Sequence, residues 1–417
     1  MRGVERDRER SFTPPRTAVR RLALGRVVSL TGTFGASTAL NYAIWHRTHS
    51  STWLAATMLL TFGIIGFFGP VAGAVADRFD RRRVMMLGET GAAACWLAMG
   101  VVRSPAGLLA LAFTASLLES PFFPASAAAI PNLADEQNLP WANSLISMGR
   151  TAGITLGPLL GGLIVAAEGA PVVFVANAAS YVASVLLVSS VRGRFSDPER
   201  RAEDADKHAG VLAGFRFVGR DRVLRTMAIG WFVFLLGMGM SLVADPALAE
   251  MFHAGSFGYG MLTAAWGAGT ILDSMLGRRA GEETEGRWLV VCSFGLAVTG
   301  FGVWLAPAFP VAVAWVAVFG IADGPTLVIE QNLLQRRAPD VVRGRVVSAF
   351  ETVMHTGLSF ALVLGAAVEP SAGPRGTYGI AGAIALIGAA ILLPLLRWLP
   401  EPAAGPRVER AFNAVVR

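Results

Sequence analysis

Long apolar runs separated by short polar stretches recur from one end of the chain to the other. A helix needs about 20 apolar residues to cross a bilayer. On that measure the pattern predicts spans at 22–45, 52–76, 84–102, 105–131, 142–167, 170–191, 224–249, 257–277, 286–306, 309–333, 345–369 and 375–398. The expected fold is all-α and integral to a membrane, with twelve transmembrane helices. The long polar stretch between the sixth and seventh spans divides the chain into a tail at 1–21, a six-helix bundle at 22–191, a cytoplasmic linker at 192–223, a second six-helix bundle at 224–398 and a tail at 399–417. Inside the linker, Val211, Leu212, Phe215 and Val218 share one helical face, with Arg216 and Arg220 elsewhere. That pattern predicts a short helix lying on the membrane surface.

The halves carry traces of a repeat. A shift of 200 residues aligns Gly69 with Gly269, Gly73 with Asp273, Asp77 with Gly277 and Arg78 with Arg278, and a shift of 204 aligns Glu119-Ser-Pro121 with Asp323-Gly-Pro325. Similar offsets along the chain are expected of two pseudo-symmetric bundles.

Composition agrees with a membrane chain: 53% hydrophobic, 16% charged, mean hydropathy +0.53. A net charge of +7 raises the question of nucleic acid, and the placement of the charge answers it. Of 36 basic residues, 32 fall on one side of the expected topology, only Arg47, Arg103 and Arg375 on the other, and Arg150 inside a span. This is the positive-inside signature. It places both termini in the cytoplasm and no nucleic acid among the partners. The first apolar run is too long for a secretory signal peptide. Lys207 is the only lysine, a bias expected of a GC-rich bacterial genome, so the expected location is a bacterial inner membrane. Cys95 and Cys292 lie inside spans and read as small hydrophobic residues.

Between the second and third spans stands Gly73-Ala-Val-Ala-Asp77-Arg78-Phe-Asp80-Arg81-Arg82-Arg83. A carboxylate just past an apolar helix can bond free N–H groups at a neighbouring helix start. A glycine there lets another helix approach closely, and the arginines hold the loop on the cytoplasmic side. Gly73, Asp77, Arg78, Arg81 and Arg82 fill the ordered positions of a loop that this stretch resembles, that of the major facilitator superfamily. Asp80 stands where that family usually has glycine. The resemblance extends over roughly residues 20 to 400, to the bacterial drug- and siderophore-exporter branch. It implies a secondary active permease in which this loop latches the two halves on the inner side.

Span five contains Gly153-Ile-Thr-Leu-Gly157-Pro158-Leu-Leu-Gly161-Gly162. This resembles the fifth-helix signature of antiporters in the superfamily, although Ser144 replaces an earlier glycine of that signature. Pro158 can bend the helix. The glycines give a smooth packing face, expected against the opposite half. The alternative is an ordinary small-residue packing face. The resemblance implies export rather than uptake.

An ionisable side chain inside a span costs roughly 2.5–3.5 kcal/mol on insertion scales and so requires an explanation. Glu119 lies near the middle of span four and Asp323 near the middle of span ten. The resemblance places spans one, four, seven and ten around a central cavity. Each acid is there a candidate for taking up a proton or meeting a cationic substrate. Alternatively, each serves backbone freed by Pro121 or Pro325. Arg150 in span five either pairs with a buried acid or snorkels to the surface. Glu351 and His355 in span eleven are four apart, share a helix face and could relay a proton or simply pack. Asn41, with Thr31 and Thr33, gives span one a polar face. Glu89 in peripheral span three reads as structural. Glu330 and Asp245 are expected near the membrane boundary.

No Gly-x4-Gly-Lys-Ser/Thr loop is present, so direct use of ATP is not expected. Nor is there a His-Glu-x-x-His motif or a Cys/His cluster of metal spacing. The chain is expected not to be an enzyme, and to use no cofactor and no metal. Its expected partners are a small-molecule substrate, protons and the lipid bilayer, with a monomer sufficient. The function read from the sequence is proton-coupled export of a small amphipathic compound by alternating access. An uptake permease, or a diverged non-transporting membrane protein, is the alternative.

Overall fold

The computed structural model describes residues 14–63, 68–133, 138–193, 195, 211–274, 284–338 and 343–399. Those residues are helical almost throughout, with no strand among them. The helices are α1 (Pro15–Thr48), α2 (Ser51–Met58), α3 (Gly69–Arg78), α4 (Arg81–Met99), α5 (Pro105–Glu119), α6 (Phe122–Leu133), α7 (Leu139–Glu168) and α8 (Ala170–Ser190). Then follow α9 (Val211–Arg220), α10 (Arg222–Met251), α11 (Gly255–Ser274), α12 (Glu285–Trp304), α13 (Phe309–Arg337), α14 (Arg343–Ile391) and α15 (Leu395–Trp398).

Among the described residues every expected span contains helix, and the interruptions at 105–131 and between the last two spans have local causes. The span at 52–76 is α2, a π-helical turn at Leu59–Gly63 and α3. The span at 105–131 is broken between α5 and α6, where Pro121 supplies no N–H to the Leu117 carbonyl. The Ser120 hydroxyl donates to that carbonyl instead, at 2.9 Å. The long α14 is two helices meeting at Gly373, whose φ of 68° is a conformation that glycine tolerates and other residues resist. Among the described residues, seven helices are long and apolar enough to cross a membrane. Among the helices outside those seven, α4 carries Arg81, Arg82, Arg83 and Glu89.

The chain forms two compact units. One comprises residues 1–48 and 60–207, the other residues 49–59 and 208–417. In the first, α1 lies along α7 and α8, and α4 packs between α8 and α5. Its core includes Leu22, Met85, Phe122 and Val188. In the second, α10 lies along α14, and α12 packs on both α13 and α14. Trp231, Phe234, Phe350 and Leu392 lie in its core. The outer helix faces are apolar: Leu87 is 72% exposed, Val291 66% and Leu186 63%. Exposed apolar surface on this scale belongs to a protein solvated by lipid.

The linker helix forms, and of its expected apolar face Val218 is buried while Phe215 is not. Phe217 and Val218 are buried, whereas Phe215 is 37% exposed. Gly214 sits directly on the backbone of Arg345, so α9 packs against α14.

Candidate transport site

The first unit concentrates its polar groups where α1, α4, α5 and α8 meet. Glu119, the last residue of α5, is half-buried. The Tyr181 hydroxyl on α8 donates to its Oε2 at 2.6 Å, and Thr33 Oγ1 on α1 lies 2.9 Å from the same phenolic oxygen. The carbonyl freed by Pro121 is a hydrogen-bond acceptor, as is a carboxylate, and Ser120 already serves it. That carbonyl therefore has a donor without Glu119.

The Thr33 hydroxyl has one hydrogen and two neighbours, since the Ser29 carbonyl is also 2.9 Å away. With Glu119 ionised, donation runs from Thr33 to Tyr181 to Glu119. With Glu119 protonated, it can run the other way, from Glu119 through Tyr181 and Thr33 to the Ser29 carbonyl. One carboxyl proton thus reorients a chain that joins three helices. Tyr181 was not singled out from the sequence. The available signal was a tyrosine inside an apolar span, whose hydroxyl must find a partner when buried.

Two further residues of this region bear on the site. Arg26, one of the 32 basic residues assigned above to the cytoplasmic side, is buried within α1. It donates to Ser126 Oγ at 3.2 Å and lies over the Phe122 and Phe123 rings at 5.5 and 4.9 Å. Glu89, expected to be structural, is 1% exposed, with the Ser29 and Ser184 hydroxyls beside its carboxylate. Asn41 is buried on α1. Arg150 lies on α7, with its side chain outside the described set.

The second unit holds a different set. Trp266 on α11 donates its indole N–H to Asp323 on α13 at 3.2 Å. Glu330, seven residues further along α13 and near its end, is 8% exposed. Asp245 is also buried and accepts from the Tyr378 hydroxyl. The structure brings Glu351 and His355 together on α14, His355 Nδ1 lying 4.0 Å from Glu351 Oε2 and 2.9 Å from the Glu351 carbonyl. Both remain more than a third exposed.

The loop after α3 ties the first unit together. Asp80 caps α4 by accepting from the Arg83 N–H at 2.9 Å. Arg81, nearly buried, donates to the Ala128 carbonyl at 3.0 Å and to Phe195 O at 3.4 Å. Arg82 donates to the Ser189 carbonyl and lies over the Phe195 ring. Arg78 is exposed, and the side chain of Asp77 lies outside the described set. The close helix approach expected at Gly73 is not seen: a Cβ there would meet no described atom within 4 Å.

The glycine face of span five packs on α1. A Cβ at Gly153 would stand 2.9 Å from Leu30 Cβ, at Gly157 2.7 Å from the Thr31 carbonyl, and at Gly161 2.3 Å from the Gly35 carbonyl. These neighbours all belong to the same unit, whereas the sequence reading set this face against the opposite half. Pro158 lies within the same continuous helix, and Gly162 follows it. Among the described residues, no cluster of His, Cys, Asp and Glu could hold a metal ion.

An all-helical chain with apolar outer faces and polar groups gathered inside its bundles is the architecture of a membrane transporter. Residues 10–408 match the family described as "Transmembrane secretion effector", and the chain belongs to that family, within the major facilitator superfamily. It is 26% identical over 400 residues to the enterobactin exporter EntS of Escherichia coli O1:K1 / APEC, a match covering 91% of this chain and 92% of the exporter. The enterobactin exporter of Shigella boydii serotype 18 is 27% identical over the same length and coverage. Solved structures share the fold at low identity. A POT family transporter in complex with 5-aminolevulinic acid superposes with a TM-score of 0.73 at 10% identity, covering 92% of this chain and 96% of its own. A bacterial homologue of the human lysosomal transporter Spinster gives 0.71 at 16%, covering 94% and 99%. The chain is a transporter rather than an enzyme, and it resides in a membrane.

Proposed function

We propose that this transporter exports a small amphipathic compound from a bacterial cytoplasm, coupling export to proton entry by alternating access. The observation that carries the reading is the hydrogen-bonded chain from Glu119 through Tyr181 to Thr33. A carboxyl group that reorients bonds on three helices when it gains or loses a proton has the properties of a coupling group. Asp323, held by Trp266, and the Glu351–His355 pair are the corresponding candidates in the second unit. Asn41 and Arg150 are candidate contacts along the pathway. The kinship with enterobactin exporters supports outward transport, and a siderophore or comparable natural product supplies the expected size and polarity.

The location is the bacterial inner membrane, with both termini cytoplasmic, as the distribution of basic residues supports. The protein acts as a monomer, with Gly73, Asp77, Arg78, Arg81 and Arg82 as its inner-side latch. The glycines from Gly153 to Gly162 let α7 and α1 move as one body, because their backbones are in contact.

The direction is tested with everted membrane vesicles and a panel of catecholate siderophores, macrolides and lipophilic cations. Energy-dependent accumulation of a panel member inside the vesicles supports export. Accumulation only in right-side-out cells would establish the uptake alternative.

A further inference from the structure

We propose that Arg26, Glu89 and Glu119 form a proton-binding site within the first unit that holds one exchangeable proton, seated on Glu89 in the conformation described. The proposal rests on the proton-coupled reading for its role in transport, but not for its occupancy by a proton.

Helix packing brings the two acids to one crossing. A Cβ at Gly88 would stand 2.5 Å from the Leu118 carbonyl, and one at Gly91 2.8 Å from Leu118 Cδ1. The backbones of α4 and α5 therefore meet immediately beside Glu89 and Glu119. The charged neighbours of Glu89 are Glu119 on α5 and Arg26 on α1, and the Ser29 and Ser184 hydroxyls lie next to it. Tyr181 on α8 is the other titratable group at this junction, and Cys95 is a turn and a half further along α4. Ser126 on α6, bonded to Arg26, carries no charge.

Two carboxyl groups face one guanidinium. With both acids ionised the site would hold a net negative charge in an apolar interior, an arrangement that is strongly disfavoured. With one proton bound it is neutral. The distribution of hydrogen bonds decides which acid carries the proton. Glu119 accepts from Tyr181 and has Arg26 as its charged neighbour, so its ionised form has partners. Glu89 is almost wholly buried, and its nearby donors are the neutral Ser29 and Ser184 hydroxyls, neither within close hydrogen-bond geometry. An ionised Glu89 is only weakly compensated there, whereas a protonated one is a neutral group beside two hydroxyls. Arg26 then balances Glu119. Release of the proton requires a change that rehydrates Glu89 or moves Arg26 toward it. Movement of α1 against α4 and α5 would supply either.

The test uses the full-length protein in lipid nanodiscs and reads the infrared C=O stretch of protonated carboxyl groups at neutral and mildly alkaline pH. No transported compound is needed, so failure of the export reading leaves this test intact. Glu89→Gln resembles the protonated acid in shape and should fold. The expected result is a protonated-carboxyl band at neutral pH that loses one group's intensity in Glu89→Gln. Arg26→Gln should gain a second group's intensity, because the remaining charge on Glu119 is no longer balanced. A band unchanged in Glu89→Gln would overturn the assignment of the proton to Glu89. A band unchanged in Arg26→Gln, with thermal unfolding like that of the parent, would overturn the counter-ion role of Arg26.

Discussion

Tyr181 holds Glu119 through a hydrogen bond of 2.6 Å, and the same phenolic oxygen lies 2.9 Å from Thr33 Oγ1. A single hydroxyl on α8 therefore links an acid at the end of α5 to the polar face of α1. Removing it with Tyr181→Phe deletes a bond to a charged group, worth about 1.5–3 kcal/mol. The expected consequence is a roughly tenfold or greater fall in transport rate. Thr33→Ala should fall less, because Tyr181 can still serve Glu119. Initial rates in vesicles at matched protein levels check both. Equal rates for Tyr181→Phe and the parent would remove the chain from the mechanism.

The glycines of α7 divide from Gly73 in what a side chain would meet. Gly161→Ala places a methyl group 2.3 Å from the Gly35 carbonyl, and Gly157→Ala one 2.7 Å from the Thr31 carbonyl. Both obstacles are backbone and cannot rotate away. Overpacking of this kind costs about 1–3 kcal/mol. Both variants should unfold at lower temperature in detergent, whereas Gly73→Ala should unfold with the parent. If Gly73→Ala nonetheless loses transport, its role lies in another conformation of the cycle.

Much of the fold was legible because the signal for a membrane span is long and repeated. The breaks were legible only in part. Pro121 and Gly373 are visible in the sequence, whereas the π-turn at Leu59–Gly63 has no proline and gives no local sign. The site was less legible because hydropathy locates a charge along a span without giving its direction around the helix. Glu119 was found on the cost of burying an acid. Arg26 was missed because it was counted among the basic residues of the cytoplasmic side, although α1 begins as early as Pro15 and carries Arg26 well inside. The inward aim of Glu89 depends on how α4 sits between α8 and α5, which no window of sequence encodes.

Asp80 offers a test of the loop that is separate from its basic residues. It caps α4 through the Arg83 N–H. Loss of such a cap in Asp80→Ala costs about 1 kcal/mol, whereas replacement by glycine costs only a few tenths. Asp80→Gly should therefore retain stability, which agrees with the glycine usual at this place in the resembling loop. The two thermal midpoints, measured side by side, decide it. Equal losses for both variants would show that the cap does not contribute.

Ser51 on α2 donates to the buried Glu369 on α14, so the start of the second span is held to the second unit. The rest of that span, from Leu60 on, belongs to the first unit, so movement between the units is expected to loosen this attachment in each cycle. A Ser51→Cys/Glu369→Cys protein lacking Cys95 and Cys292 should lose transport on oxidation and recover it on reduction. Undiminished transport by the oxidised, cross-linked protein would show that α2 stays on α14 throughout.

The measurement closest to the central claim is proton movement driven by a transported compound. Everted vesicles made acidic inside, and loaded with a pH-sensitive dye, are given the member of the panel that accumulates. The account predicts proton release from the vesicle lumen on its addition, absent in Glu119→Gln with the protein shown to be folded. Accumulation of the compound with no proton movement, or proton release unchanged in Glu119→Gln, would contradict it.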